Sequence, residues 1–94
     1  MKAIKHYLDL AIARHALRSD YGLAKKLGVG PSHISNYRNG RSCPDDQMAV
    51  RLAKLLEIDP LEIVAVANYN RAVRTENPVS RKLWHRLFKL VAHK

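Results

Sequence analysis

Apolar residues recur along almost the whole chain at the three-and-four spacing of a buried helix face. Nowhere do they follow the strict alternation of a half-buried strand. Ile4, Tyr7, Leu8, Ala11 and Ile12 form the first stripe and predict a helix over residues 3–16. Leu23, Ala24 and Leu27 predict a short second helix, with Ser19 at its N-cap and Gly28 as its stop. Gly30-Pro31 opens a third, since proline at the first helical position lacks only an N–H that would be unpaired anyway. Ile34 and Tyr37 are its inward residues, and Asn39-Gly40 ends it. Pro44 is expected to start a fourth helix, with Met48, Ala49, Leu52, Ala53 and Leu56 inward. Asp59-Pro60-Leu61-Glu62 has the form of a capping box and predicts a fifth, with Leu61, Val64, Ala65 and Ala67 as its apolar positions.

Arg74 to Pro78 breaks the pattern, and Asn77-Pro78 is a further helix start. In the helix predicted from Val79 to Ala92, Leu83, Leu87 and Leu90 lie at one spacing, with Trp84, Phe88 and Val91 at the next. The reading is all-α: a five-helix bundle over residues 1–73, then a basic amphipathic helix within residues 74–94.

With 94 residues, 47% of them hydrophobic and 27% charged, the chain can close one modest core and leaves no room for a separate catalytic domain. Its 17 Lys and Arg against 8 Asp and Glu give a formal charge of +9. So large an excess on so small a body points to a polyanionic partner, nucleic acid first and an anionic membrane surface second. The single cysteine, Cys43, excludes an intramolecular disulfide and a multi-cysteine zinc site. No apolar run approaches a membrane span, and the N-terminal stretch lacks the apolar core of a secretory signal. These features place the expected site of action in the cytoplasm.

The informative stretch is Asp20 to Gly40. Two short helices that cross steeply need a small residue where they touch, here Ala24. They need a residue that permits a tight turn, here Gly28, and a plug at the corner, here Val29. Ile34 and Tyr37 then pin the second helix, leaving its other face free to enter a DNA major groove. On that face stand Ser32, His33, Ser35 and Asn36. Asparagine can grip adenine with two hydrogen bonds, serine is a short adaptable donor or acceptor, and histidine can address guanine or phosphate. Arg14, Arg18, Lys25, Lys26, Arg38 and Arg41 lie on or beside the stretch against one acid, Asp20, which suits phosphate contact.

Leu23-Ala24-Lys25-Lys26-Leu27-Gly28-Val29, then Ile34-Ser35-Asn36-Tyr37 and Asn39-Gly40, resembles the lambda-repressor-like helix-turn-helix family of Cro and phage repressors. Pro44 and Leu52-Ala53-Lys54-Leu55-Leu56 are similar to its fourth helix, so the resemblance spans roughly residues 5–66. The tail, with Asn77-Pro78 and Leu83-Trp84, resembles small phage-associated regulators of this class. The resemblance implies base reading near Pro31, Ser32 and Asn36 and a phosphate contact at Asn39. Pro31 cannot bond a base, which shifts the reading to Ser32, His33, Ser35 and Asn36. Two further departures stand out: Asp20, where many members carry a Gln that braces the backbone, and Arg38, where many carry Glu. Read alone, Asp20 repels phosphate and Arg38 adds positive charge. The expected phosphate contacts are therefore Arg18, Lys25, Lys26, Arg38, Asn39 and Arg41.

Other residues have plainer readings. No second His or Cys stands at ligand spacing beside His33, so no metal is expected, and no cofactor or small-molecule substrate is implied. His6, His15, His85 and His93 read as surface residues, and Cys43 as a loop thiol. Asp45-Asp46 fits the positive end of a helix dipole.

Residues 71–94 carry Arg71, Arg74, Arg81, Lys82, Arg86, Lys89 and Lys94 against Glu76 alone. Four fates suit such a helix: packing on its own bundle, pairing with a second chain, touching DNA, or lying on a membrane. Leu83, Trp84, Leu87, Phe88 and Leu90 are more apolar surface than a small monomer needs, which favours a homodimer. The function expected is that of a dimeric repressor occluding a palindromic operator on double-stranded DNA, with no enzyme activity. The alternatives are the DNA-binding antitoxin of a toxin–antitoxin pair, or a non-specific basic binder of DNA or membrane surfaces.

Overall fold

The computed structural model describes residues 2–92 and is helical throughout. Its elements are α1 (Ile4–Arg14), α2 (Asp20–Leu27), α3 (Pro31–Arg38), α4 (Asp46–Leu56), α5 (Pro60–Arg74) and α6 (Pro78–Ala92). Met1, His93 and Lys94 lie outside the described residues, so the readings of His93 and Lys94 do as well.

Five of these helices stop in the same way. One residue turns left-handed, its N–H bonds a carbonyl three residues back, and the next N–H reaches five back. For α2 the pair is Gly28 to Lys25 at 3.2 Å and Val29 to Ala24 at 2.9 Å. Gly40 does the same after α3, whereas Ala16, Glu57 and Glu76 take positive φ after α1, α4 and α5. Glycine is the favoured residue there because a Cβ crowds the following carbonyl, so three of the five stops carry a steric cost.

One helix start differs from the sequence reading by more than a residue. α4 begins at Asp46, not Pro44: Asp45 is the N-cap, its carboxylate accepting the Met48 N–H at 2.8 Å, and Pro44 is buried ahead of it. Ser19 holds the cap position of α2, yet its side chain makes no capping bond. Asp59 and Asn77 cap as expected, accepting from the N–H groups of Leu61 and Ser80.

The core gathers one stripe from each of the first five helices. Tyr7, Leu8, Leu23, Ile34, Leu52, Leu56, Ile63 and Val66 are its largest fully buried side chains. α5 corrects its predicted stripe: Ile63, Ala65, Val66, Ala67 and Ala72 are buried, while Leu61 is 46% exposed. α5 packs against α1, α4 and α6, so it is covered on more than one side and a single stripe does not define its inward direction. The Tyr7 hydroxyl donates to Glu62 Oε2 at 2.7 Å and ties α1 to α5. At the end of α4, Arg14 donates to the Leu56 carbonyl and His15 Nε2 donates to the Leu55 carbonyl at 2.7 Å. Arg14, expected to add charge to the DNA face, is thus a cap for carbonyls that α4 leaves unpaired.

α6 packs along α5. Phe88 joins the central core, Val91 is buried and Trp84 is half-buried. His85, read as a surface residue, is half-buried with its ring edge-on to Tyr69 at 5.8 Å.

Candidate nucleic-acid interface

α2 and α3 are joined by the left-handed Gly28, the extended Gly30 and the half-buried Val29, with Pro31 at the first turn of α3. Within α3 only Ile34 is fully buried; Tyr37 packs against the core from its edge. Ile34 and Tyr37, three residues apart, anchor one face of the helix, and its outer surface is polar.

Ser32, His33 and Ser35 are exposed on that surface and Asn36 is half-buried. The four expected base-reading residues therefore lie on one short helix, three of them open to solvent. Two carry internal contacts. Ser35 Oγ accepts from Asn39 Nδ2 at 3.3 Å, one turn on, and the His33 ring meets Tyr37 edge-on with centroids 6.5 Å apart. Both contacts are weak and exposed, and a base edge can replace them at little cost.

Arg38 lies elsewhere than expected. Its Nε and Nη2 donate to the two oxygens of Asp20 at 3.0 and 2.7 Å, and its Nη1 donates to Asp9 Oδ1 at 2.6 Å. Three of its five N–H donors are engaged with carboxylates, and its side chain is 22% exposed. Hydrogen bonding to Asp20 foremost raises its pKa further above an already high value. With two carboxylates upon it, Arg38 brings no net positive charge to the groove edge. It is instead the clamp that holds α3 against α1 and α2. Asp20 is correspondingly neutralised, which corrects its reading as a bare charge facing phosphate.

The remaining cations expected at phosphate, Arg18, Lys25, Lys26 and Arg41, are all exposed, as is Asn39. Arg74, not expected here, donates from Nη1 to the Gly40 carbonyl at 3.0 Å and so brings the end of α5 to the end of α3. Nothing in the local sequence marks this contact, because 34 residues separate its partners. Beside it a hollow of about 300 Å³ is lined by Ile4, Tyr37, Val73 and the half-buried Cys43. Burial first, then Asp45 and Cys43, raises the pKa of Tyr37. Among the described residues no group of three His, Cys, Asp or Glu could hold a metal, and no helix is long and apolar enough to cross a membrane.

A short helix anchored by one buried isoleucine, with a polar outer face and a left-handed glycine behind it, defines a helix-turn-helix DNA-binding protein. The comparison with protein families agrees: residues 18–63 match the helix-turn-helix family model. This segment, just under half of the chain, is a helix-turn-helix of the lambda-repressor-like, Cro/C1 type, a family of DNA-binding transcriptional regulators rather than of enzymes. No curated protein and no solved structure matches the chain.

Proposed function

We propose that this protein is a sequence-specific repressor of phage or mobile-element type that acts as a homodimer in the cytoplasm and occludes a palindromic operator. The observation that carries the reading is the outer face of α3. Ser32, His33 and Ser35 stand exposed there with Asn36 beside them, on a helix whose opposite side is locked by Ile34 and by the Arg38 clamp. A binder that used charge alone needs neither a rigid helix nor short hydrogen-bonding side chains presented from it. Arg18, Lys25, Lys26, Asn39 and Arg41 flank this face and serve as phosphate contacts. For the second chain, Leu83 and Leu90 of α6 are 58% and 66% exposed and Val79 is 77% exposed, with Leu87 half-buried at their edge. Trp84 and Phe88 face the protein's own bundle, so the pairing surface is narrower than the five residues named from sequence.

Selection of binding sites from random DNA, followed by footprinting, tests the function. The expected result is one palindromic site with both half-sites protected. Recovery of no preferred sequence overturns sequence-specific repression in favour of binding by charge alone.

A further inference from the structure

Lys25 and Lys26 of α2 and Arg51 and Lys54 of α4 line one shallow cleft of about 430 Å³, floored by Leu27 and Leu55. Among the described residues no carboxylate lines it. Arg51 and Lys54 sit one turn apart on α4, so they share a face. Arg51 is held in place: its Nη1 donates to the Leu27 carbonyl at 3.1 Å, beside the left-handed Gly28 that ends α2. That bond uses one of five donors, and the others remain available for an oxyanion. The end of the α2 dipole offsets part of the Arg51 charge, but four like charges around one hollow remain unfavourable without an anion.

The cleft is continuous with the reading surface. Lys25 also lines the adjoining hollow with Tyr21, Val29 and Pro31, the first residue of α3. Positive charge therefore runs from Lys25, which borders the start of α3, across to Arg51 and Lys54 on α4. We propose that Arg51 and Lys54 extend the phosphate contacts of Lys25 and Lys26 onto α4, forming a surface that holds the DNA backbone beyond the base pairs read by α3. This rests on the DNA-binding reading above and adds α4 to the interface. It implies a footprint longer than the recognised sequence, and flanking DNA drawn toward α4.

The test measures affinity against salt for the full chain, on a duplex carrying the selected site with long flanks and on one trimmed to the site. Each released phosphate contact contributes about one unit to the slope of log K against log salt. Arg51→Gln and Lys54→Gln are each expected to lower that slope by about 1 on the long duplex and to leave it unchanged on the trimmed one. The Lys54 side chain is exposed and makes no hydrogen bond or ion pair among the described residues, so its variant answers even if Arg51→Gln unfolds. Unchanged slopes on the long duplex overturn the proposal. So does a titration in which pyrophosphate shifts the Gly28 and Arg51 amide resonances while both slopes stay as in the wild type, which marks a free-anion site instead. Asn36→Ala separates the two readings: its failure to alter sequence preference counts against base reading by α3, whereas the flank-dependent slope reports on α4 alone.

Discussion

Arg38 and Asp20 form a two-bond fork between α3 and α2, with Arg38 donating at 3.0 and 2.7 Å, and this pair fixes how α3 sits. The resemblance to lambda-type repressors presents Asp20 and Arg38 as two separate departures, one that repels phosphate and one that attracts it. In the folded chain they are a single change made in two places. Each residue explains the other, and Asp9 of α1 completes the clamp. The electrostatic cost of a carboxylate at the head of α2 is met inside the protein rather than at the DNA.

Arg38→Ala is expected to leave Asp9 and Asp20 facing the groove without a partner. Stability should fall by about 1 kcal/mol, because the fork is bidentate but partly exposed. Operator affinity should fall further, through repulsion of phosphate. A cycle with Asp20→Asn, read by urea unfolding, should show that the double variant loses less than the sum of the two single losses. Strict additivity would mean that the pair does no work in solution.

Ser32→Ala and Asn36→Ala are each expected to weaken binding to the selected operator by about 1–3 kcal/mol while leaving binding to random DNA nearly unchanged. Circular dichroism should show an unaltered fold for Ser32→Ala, since that side chain is exposed. Equal affinity of wild type and both variants for the operator would remove α3 as the reading element.

The core stripes of α1, α2 and α4 and the turn at Gly28 were legible because each helix buries one face against one set of neighbours. The stripe of α5 was not, because α6 covers a further side of it. The outward-facing set on α3 followed from which positions Ile34 and Tyr37 must occupy. The Arg38 clamp and the Arg74 contact with Gly40 were invisible for a different reason: they join residues far apart in the chain, and no local spacing encodes them. α6 shows the boundary most clearly. Its two apolar stripes were evident in the sequence, but which of them the protein itself covers depends on the angle at which α6 meets α5.

Tyr7 should give the fold a specific alkaline weakness. Burial first, then the hydrogen bond and charge of Glu62, raises its pKa above the ordinary 10.0. Above that pH the unfolded chain loses the phenolic proton while the folded chain keeps it. Stability from this residue is thus full below pH 10 and declines above it, by about 1.4 kcal/mol per pH unit. Tyr7→Phe should lose about 1 kcal/mol at neutral pH with the Glu62 bond, and show a shallower alkaline decline. Tyr37, whose pKa is also raised, keeps the remaining slope from vanishing. Urea midpoints across pH check this; identical alkaline slopes for the two proteins would contradict it.

The exposed stripe of α6 sets the last expectation, that two chains pair weakly through it and more strongly as salt rises. Val79, Leu83 and Leu90 lie on one side of the helix, and Lys82, Arg86 and Lys89 run beside them at the same helical spacing. Pairing two such helices covers the leucines at about 25 cal/mol per Å², a gain of several kcal/mol. Association entropy removes at least about 4 kcal/mol, and two rows of cations brought close remove more. The balance is a marginal dimer whose repulsion is screened by salt or neutralised by DNA phosphate. Leu83→Glu and Leu90→Glu should abolish dimers in sedimentation experiments yet melt close to the wild type, because both side chains are already exposed. Phe88→Ala should instead lower stability by about 2 kcal/mol, since Phe88 is half-buried against the core of its own chain. Raising salt should tighten dimers and loosen DNA, opposite signs that no single charged surface produces. A full-length chain that stays monomeric at high concentration, in high salt and on the operator, would rule out pairing through α6.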